Sequence, residues 1–234
     1  MIGWVILIIL GIAALATLFV VLTDGRYFGK RLTRWIYDRF GPAIFGAHSE
    51  AQRWRALAET LQLCGDEIIL DVGTAIGDLP LTIATMPAFH GRALGVDWSP
   101  RMMAVAQGEA RRLGLNSRVQ FCVVDVREPF PFGSGGFDVV FCLGLLETLP
   151  HPESVLGELK RVLTPDGVLV LSLYRGWAAS NTALSLDWYQ GHLSALESWD
   201  LQVVPCRRNQ EVVIAHLRKT GWRTRKTYER QNGR

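Results

Sequence analysis

Apolar runs of strand length recur along the chain, each closed by an acid or by turn residues, with helix-forming segments between them. The first, Ile68-Ile69-Leu70, feeds Asp71-Val72-Gly73-Thr74-Ala75-Ile76-Gly77-Asp78. Arg92 to Asp97 reads as a second buried strand and Val119 to Val124 as a third, ending in Asp125-Val126. Phe137 to Leu143, after the turn-rich Gly133-Ser134-Gly135-Gly136, is a fourth strand, and Val168 to Tyr174 a fifth. Buried strands alternating with helical segments predict an α/β fold with a doubly wound, mostly parallel sheet and helices on both faces. Glu50 to Leu63 reads as an amphipathic helix leading into the first strand, and Ser99-Pro100 as a helix cap with proline at the first helical position. Towards the end, Asn209 to Thr220 reads as a capped helix stopped by Gly221, and Trp222 to Tyr228 as a strand. Leu201 to Pro205 is a second candidate for the sheet edge.

The stretch from Asp71 to Asp78 carries the first chemical information. A strand that runs into a glycine loop before a helix is a nucleotide-cofactor device. Gly73 and Gly77 can take backbone angles that a β-carbon forbids, so the loop can pass close beneath a ligand and present N–H groups at a helix start. That suits a ligand carboxylate. Asp71 would repel a pyrophosphate but can help balance ammonium and sulfonium charges, which favours a cationic cofactor. The spacing Gly73-x-Ala75-x-Gly77 also differs from the Gly-x-Gly-x-x-Gly of nicotinamide-dinucleotide enzymes. Asp97 closes the second strand, where a carboxylate with two acceptor oxygens can hold both ribose hydroxyls. Asp125 closes the third, where it can accept from an adenine amine. In an open parallel sheet these ends lie along one crevice.

These residues resemble the class I S-adenosylmethionine-dependent methyltransferases, and look most like the branch containing ubiquinone and menaquinone biosynthesis methyltransferases. The resemblance runs roughly from Trp54 to Tyr174 and implies a Rossmann-like sheet with S-adenosyl-L-methionine as cofactor. It implies that Asp71, Gly73, Ala75 and Gly77 form the methionine-side loop, and that Asp97 with Trp98 lies at the ribose. Asp125 and Val126 would hold the adenine, with Leu143 at the end of the fourth strand also in the cofactor set. Leu145 to Pro150 and Val155 to Gly167 match the branch's pattern after that strand. Two positions depart from it. Ala75 stands where the family usually has a middle glycine, and Thr148 where many relatives carry a histidine after the glutamate. No base carries over to Thr148, and His151 in its Pro-His-Pro turn reads as simply exposed. Glu147 is the candidate catalytic residue, with helix capping or a cofactor-loop contact as its other reading.

The start of the chain changes the picture. Ile2 to Leu22 has no charged residue, and at about 1.5 Å per residue it spans about 30 Å, the thickness of a bilayer core. One N-terminal transmembrane helix is therefore expected at residues 1–23. A cleaved signal peptide is the other reading, but no basic residue precedes the apolar run. Arg26, Lys30, Arg31, Arg34 and Arg39 follow it, so the positive-inside rule gives a single-pass membrane protein with its catalytic domain in the cytoplasm. Residues 24–48 form a basic aromatic juxtamembrane segment, read either as a helix on anionic headgroups or as an ordinary linker, and ended by Gly41-Pro42. Residues 49–234 form one Rossmann-like domain. Within it, residues 175–204, with Trp177, Trp188, Tyr189 and Trp199, are read as a candidate substrate lid or as a packing insertion.

Composition narrows the classes. The 234 residues hold four cysteines, Cys64, Cys122, Cys142 and Cys206, with no Cys-x-x-Cys pair, which argues against a metal site and a disulfide framework. Basic residues crowd the end of the chain, yet the formal net charge is only +3 and no base-reading motif is present. A nucleic-acid partner is therefore not expected, and an acidic membrane is the simpler account of the basic residues. The expected partners are a membrane and a small-molecule or lipid acceptor. The functional expectation is methyl transfer to a small or lipidic acceptor, such as a quinone precursor or phospholipid headgroup. A non-catalytic membrane scaffold that keeps the fold is the alternative, and a NAD-dependent oxidoreductase a further one.

Overall fold

The computed structural model describes residues 3, 11–12, 29–46, 50–63, 65–174, 183–193, 199–207 and 210–217. Helix α1 (Gly29–Gly46) and helix α2 (Ala51–Thr60) precede the sheet. Then follow β1 (Ile68–Val72), α3 (Asp78–Ala84), β2 (Arg92–Asp97), α4 (Pro100–Arg112), β3 (Val119–Val123) and β4 (Phe137–Cys142). After a 3-10 turn at Leu146–Thr148 come α5 (Pro152–Val162), β5 (Leu163–Tyr174), α6 (Leu186–Leu193), β6 (Trp199–Arg207) and β7 (Gln210–Leu217).

The seven strands among the described residues form one sheet in the order β3-β2-β1-β4-β5-β7-β6. The first five pair in parallel, and β7 runs antiparallel between β5 and β6. The chain reverses its direction of winding at β1, leaving a crevice beyond the carboxyl ends of β1 and β4.

Strand periodicity divides the core in two, because successive side chains point to opposite faces. Leu70, Val140, Leu169, Leu171, Val213 and Ala215 meet Val155, Leu156 and Leu159 of α5, together with Tyr189 and Leu193 of α6. Their neighbours Ile69, Val139, Phe141, Val168, Val170, Val212 and Ile214 meet Leu57 of α2 and Leu79 and Ile83 of α3. The predicted doubly wound sheet with helices on both faces is therefore present.

Three expectations change. Residues 210–217, read from the sequence as part of a helix, form strand β7. Val212-Val213-Ile214-Ala215 is buried on both sides, so the run shows no strand alternation, and its β-branched residues suit a sheet interior. Strand β6 supplies the edge, as Leu201 to Pro205 suggested. Pro205 falls next to a register shift at that edge, where a missing N–H is tolerated. Arg53 of α2 ties the hairpin down by donating to Gln210 Oε1 at 2.9 Å and to Cys206 Sγ at 3.0 Å. The predicted strand at Trp222 to Tyr228 lies outside the described residues.

The second correction concerns Gly41-Pro42, which does not end its segment: α1 continues through Pro42 to Gly46. Contact with α4 overrides the proline. A β-carbon on Gly41 would lie 2.1 Å from Met102 Cε, so the two helices touch at that glycine. Thirdly, residues 199–204 of the candidate lid belong to β6, while Tyr189 and Leu193 of α6 are fully buried in the core. Residues 175–182 and 194–198 of that stretch lie outside the described residues.

No described helix is long and apolar enough to cross a membrane. The expected span at residues 2–22 lies outside the described residues apart from Gly3, Gly11 and Ile12.

Two glycines make the packing argument testable. A β-carbon on Gly95 would lie 2.6 Å from the Phe121 ring and 2.9 Å from Thr74 Cγ2, whereas one on Gly157 meets nothing within 4 Å. Gly95→Ala is expected to lower stability by about 1–3 kcal/mol through overpacking, and Gly157→Ala, inside α5, to raise it by about 0.5–1 kcal/mol. Urea unfolding of the two variants measures both.

Candidate functional site

Register brings the sequence-predicted acids to one edge. Asp71 pairs with Gly95, Asp97 with Val123, and Val72 with Cys142. The ends of β1, β2, β3 and β4 are thus level, and Asp71, Asp97, Asp125 and Leu143 gather there with the loop from Gly73 to Gly77.

The loop has the expected left-handed turns. Gly73 and Gly77 both have φ of +79°. Gly73 and Thr74 donate their N–H groups to Val96 O at 2.8 and 3.0 Å, fastening the loop to β2. Gly77 begins α3, and a β-carbon there would lie 2.5 Å from the Phe121 ring, so this glycine also lets the helix approach β3. Ala75, with φ of +50°, is also left-handed. A β-carbon is therefore held in a left-handed conformation there, at a strain of about 1–2 kcal/mol.

Asp97 organises the site. Its Oδ2 accepts from Ala75 N at 3.1 Å and from the Tyr37 hydroxyl at 3.3 Å, and its Oδ1 accepts from Ser99 N at 3.0 Å. Burial pushes its pKa above the usual carboxylate range, while these hydrogen bonds act in the opposite direction. Ser99 caps α4 by accepting from Met102 N at 3.0 Å, as the Ser-Pro pair predicted, and its hydroxyl donates to Asp38 of α1.

Asp71 is buried and accepts from the Thr74 hydroxyl at 2.6 Å. Burial raises its pKa to about 7, with the nearby Asp97 adding to the rise and the Thr74 hydrogen bond opposing it. Asp78 accepts at Oδ2 from Trp54 Nε1 at 2.9 Å and from Glu50 N at 3.1 Å, which docks α2 on the loop's far end.

At the predicted adenine end, Arg127 clamps Asp125 with two hydrogen bonds of 2.7 Å and lies 4.9 Å over the Trp98 ring. Val126 is buried in the core. Leu143 follows β4, partly buried against the core.

Glu147 sits apart from these acids, in the 3-10 turn after β4, and is only 8% exposed. Its Oε1 accepts from the Ser172 hydroxyl of β5. Ser172 Oγ in turn accepts from Gly144 N at 2.8 Å, and Ser172 O accepts from the Tyr189 hydroxyl at 2.9 Å. Burial raises the Glu147 pKa, against the lowering effect of the Ser172 bond. This arrangement fixes the loop after β4 to β5. His151 is exposed, with its Nδ1 3.4 Å from Glu153 Oε1.

Sequence reasoning missed Tyr37, Thr74, Arg127 and Ser172. Thr74 stood in view, three residues after Asp71, as a hydroxyl able to reach back to a strand-end acid. Tyr37 had no local signal, since 60 residues separate it from Asp97.

Comparison with known proteins agrees with this geometry. Residues 65–224 match the model of a methyltransferase domain family. The chain is 38% identical over 120 residues to demethylmenaquinone methyltransferase of Thermus thermophilus, a match covering 51% of this chain and 53% of the relative. It is 30% identical over 141 residues to phosphatidylethanolamine N-methyltransferase of Cereibacter sphaeroides, covering 59% and 63% respectively. The chain thus spans a little over half the length of these two curated relatives. Among solved structures, an S-adenosylmethionine-dependent methyltransferase from Aquifex aeolicus shares the fold with a TM-score of 0.56 and 23% identity, over 70% of this chain and 88% of that one. The chain belongs to the methyltransferase domain family, and S-adenosyl-L-methionine is the cofactor its site fits. The loop turns left-handed at both glycines, Asp97 offers carboxylate oxygens at the end of β2, and buried Asp71 can ionise beside a cation.

Two measurements test the loop. Ala75→Gly is expected to raise stability by up to about 1 kcal/mol, because relief of left-handed strain exceeds the entropic cost of glycine; thermal melts read it. Asp71 titrates higher in the folded protein, about 7, than the ordinary value of about 3.9 in the unfolded chain. Its contribution to stability is thus complete below the unfolded value and is lost as pH rises through 7. The melting temperature is expected to fall between pH 5 and pH 8, and to fall less in Asp71→Asn.

Proposed function

We propose that this protein is a membrane-tethered S-adenosyl-L-methionine-dependent methyltransferase whose acceptor is a small or lipidic molecule, such as a quinone precursor or phospholipid headgroup. The observation that carries the reading is the union of loop and ribose acid: Ala75 N of the glycine loop donates to Asp97 Oδ2, so one carboxylate both shapes the loop and faces the crevice. S-adenosyl-L-methionine supplies a methyl group on a sulfonium centre, whose positive charge disperses as the methyl moves to the acceptor. Positioning and water exclusion can provide much of the acceleration for such a displacement.

The chain's own residues have distinct roles in this reading. Asp97 holds the ribose hydroxyls, with Trp98 beside it, and Asp125 with Val126 holds the adenine once Arg127 has turned away. Asp71 orders the loop through Thr74 and faces the cofactor's positive charge. Gly73, Ala75 and Gly77 leave the methionine end its space. Glu147 is the candidate base for an acceptor that must lose a proton, and the burial that raises its pKa makes it a stronger proton acceptor. Its bond to Ser172 supports a second role, holding the loop beside the acceptor.

The acceptor class draws support from the relatives, one named for a demethylmenaquinone and the other for phosphatidylethanolamine. The apolar run from Ile2 to Leu22 supports a single membrane span, and the basic residues after it a catalytic domain on the cytoplasmic side. A tether confines the protein near membrane-dissolved acceptors and raises their effective concentration.

Calorimetry on the full chain in detergent tests the reading. S-adenosyl-L-methionine is expected to bind in roughly the micromolar range, with Asp97→Ala weakening it by at least about tenfold through the loss of charge-assisted hydrogen bonds. Labelled methyl should then reach a quinone precursor or a phospholipid. Absence of binding in folded protein would make the non-catalytic scaffold the better account, and transfer only to water-soluble metabolites would sink the lipidic acceptor.

A further inference from the structure

Helix α1 presents two faces of opposite character. Tyr37, Asp38 and Gly41 point towards the domain. The Tyr37 hydroxyl donates to Asp97 Oδ2, the Asp38 carboxylate accepts from the Ser99 hydroxyl, and Gly41 lies against Met102. Burial, then the Asp97 charge, raises the Tyr37 pKa, so the hydroxyl stays protonated as a donor. Trp35 and Phe40 point away and are 59% and 47% exposed. Their ring centroids lie 6.3 Å apart, edge to face, and the exposed Arg39 guanidinium sits 5.4 Å over the Phe40 ring.

The inner face bears directly on the cofactor site. Asp97 is the only strand-end acid that α1 touches among the described hydrogen bonds, and the two carboxylate oxygens already serve Ala75 N, Ser99 N and the Tyr37 hydroxyl. Ribose hydroxyls need those same oxygens, which places Tyr37 and the ribose in competition. The Tyr37 bond, at 3.3 Å, is also the longest of the three.

The outer face fits a lipid surface. Amphipathic aromatic rings settle at the boundary between headgroups and acyl chains, and a neighbouring arginine reaches the phosphates. Arg39 is the cation on this face, beside the two rings, and the acid of the helix, Asp38, faces Ser99 instead. Charge complementarity selects an anionic surface. The apolar run ending at Leu22 lies a few residues before the helix, which would keep α1 within reach of the bilayer.

We propose that α1 is a lipid-responsive cover on the cofactor site: anionic headgroups bind its Trp35–Arg39–Phe40 face, draw Tyr37 off Asp97 and thereby raise the affinity for S-adenosyl-L-methionine. The inference rests on the membrane reading given under Proposed function. It is a coupling between two sites through one helix with two positions, and coupling is reciprocal, so the cofactor also strengthens the grip of α1 on lipid.

The test places the full chain in vesicles of phosphatidylcholine alone and of phosphatidylcholine with phosphatidylglycerol, and measures the Kd of S-adenosylhomocysteine by calorimetry. Phosphatidylglycerol is expected to tighten binding by about fivefold or more, the lower range of measured couplings. The double variant W35A/R39E should keep the Kd seen on phosphatidylcholine and lose the gain. Tyr37→Phe should bind roughly fivefold tighter already on phosphatidylcholine, the worth of one modest hydrogen bond, and gain little from phosphatidylglycerol. Equal affinity on the two vesicles overturns the proposal, as does weaker binding by Tyr37→Phe on both, which would make Tyr37 part of the cofactor's hold. Flotation separates the two readings. Protein that floats with both vesicles at unchanged affinity sinks the coupling alone, whereas protein that floats with neither sinks the membrane reading as well.

Discussion

The carboxylate of Asp97 is the interaction on which this structure turns. It stands at the end of β2, almost without solvent, and gathers the glycine loop, the start of α4 and helix α1 through three donors. A buried carboxylate without partners would be too costly to keep charged, and hydrogen bonds to it are stronger than bonds between neutral groups. The same donors that stabilise the acid therefore fix the site's geometry. Asp71 lies close enough to feel its charge, and buried Asp71 responds by holding its proton more tightly. Two acids sharing a dry crevice are mutually unfavourable until a cation joins them, which is a physical reason for such a site to select a positively charged ligand.

Around this acid the sheet works as a jig. Parallel pairing levels the ends of four strands, and the two-faced core holds that register, since a slip by one residue would exchange the layers packed on α2 and α3 with those packed on α5 and α6. Precision in the crevice thus derives from packing on both sides of the sheet. The loop departs from ease at Ala75, where a β-carbon is held in a left-handed conformation. That strain persists because Ala75 N is bonded to Asp97 and the neighbouring N–H groups of Gly73 and Thr74 are bonded to Val96.

Much of this was legible along the chain. Strands β1 to β5 announced themselves because each is an apolar run bounded by turns or acids, and the acids Asp71, Asp97 and Asp125 at the ends of the first three marked the crevice. The helix cap at Ser99 was equally plain, because capping chemistry is local. Strand β7 was misread because a run buried on both faces has no alternation to display, and the helix-like Asn209 start was more visible than the need for an antiparallel partner. Pro42 was read as a stop, although packing of Gly41 on Met102 carried the helix past it.

The sequence by itself determined the fold class, the order of loop and acids, and the charge that the crevice offers, because these depend on composition and spacing over a few residues. Only the tertiary structure decided which donors meet those acids. Tyr37 reaches Asp97, Ser172 reaches Glu147 and Arg53 reaches Gln210 across 60, 25 and 157 residues of chain. No local pattern encodes such meetings. They follow from how helices settle on a finished sheet, where burial and close packing, rather than sequence distance, select each side chain's partner.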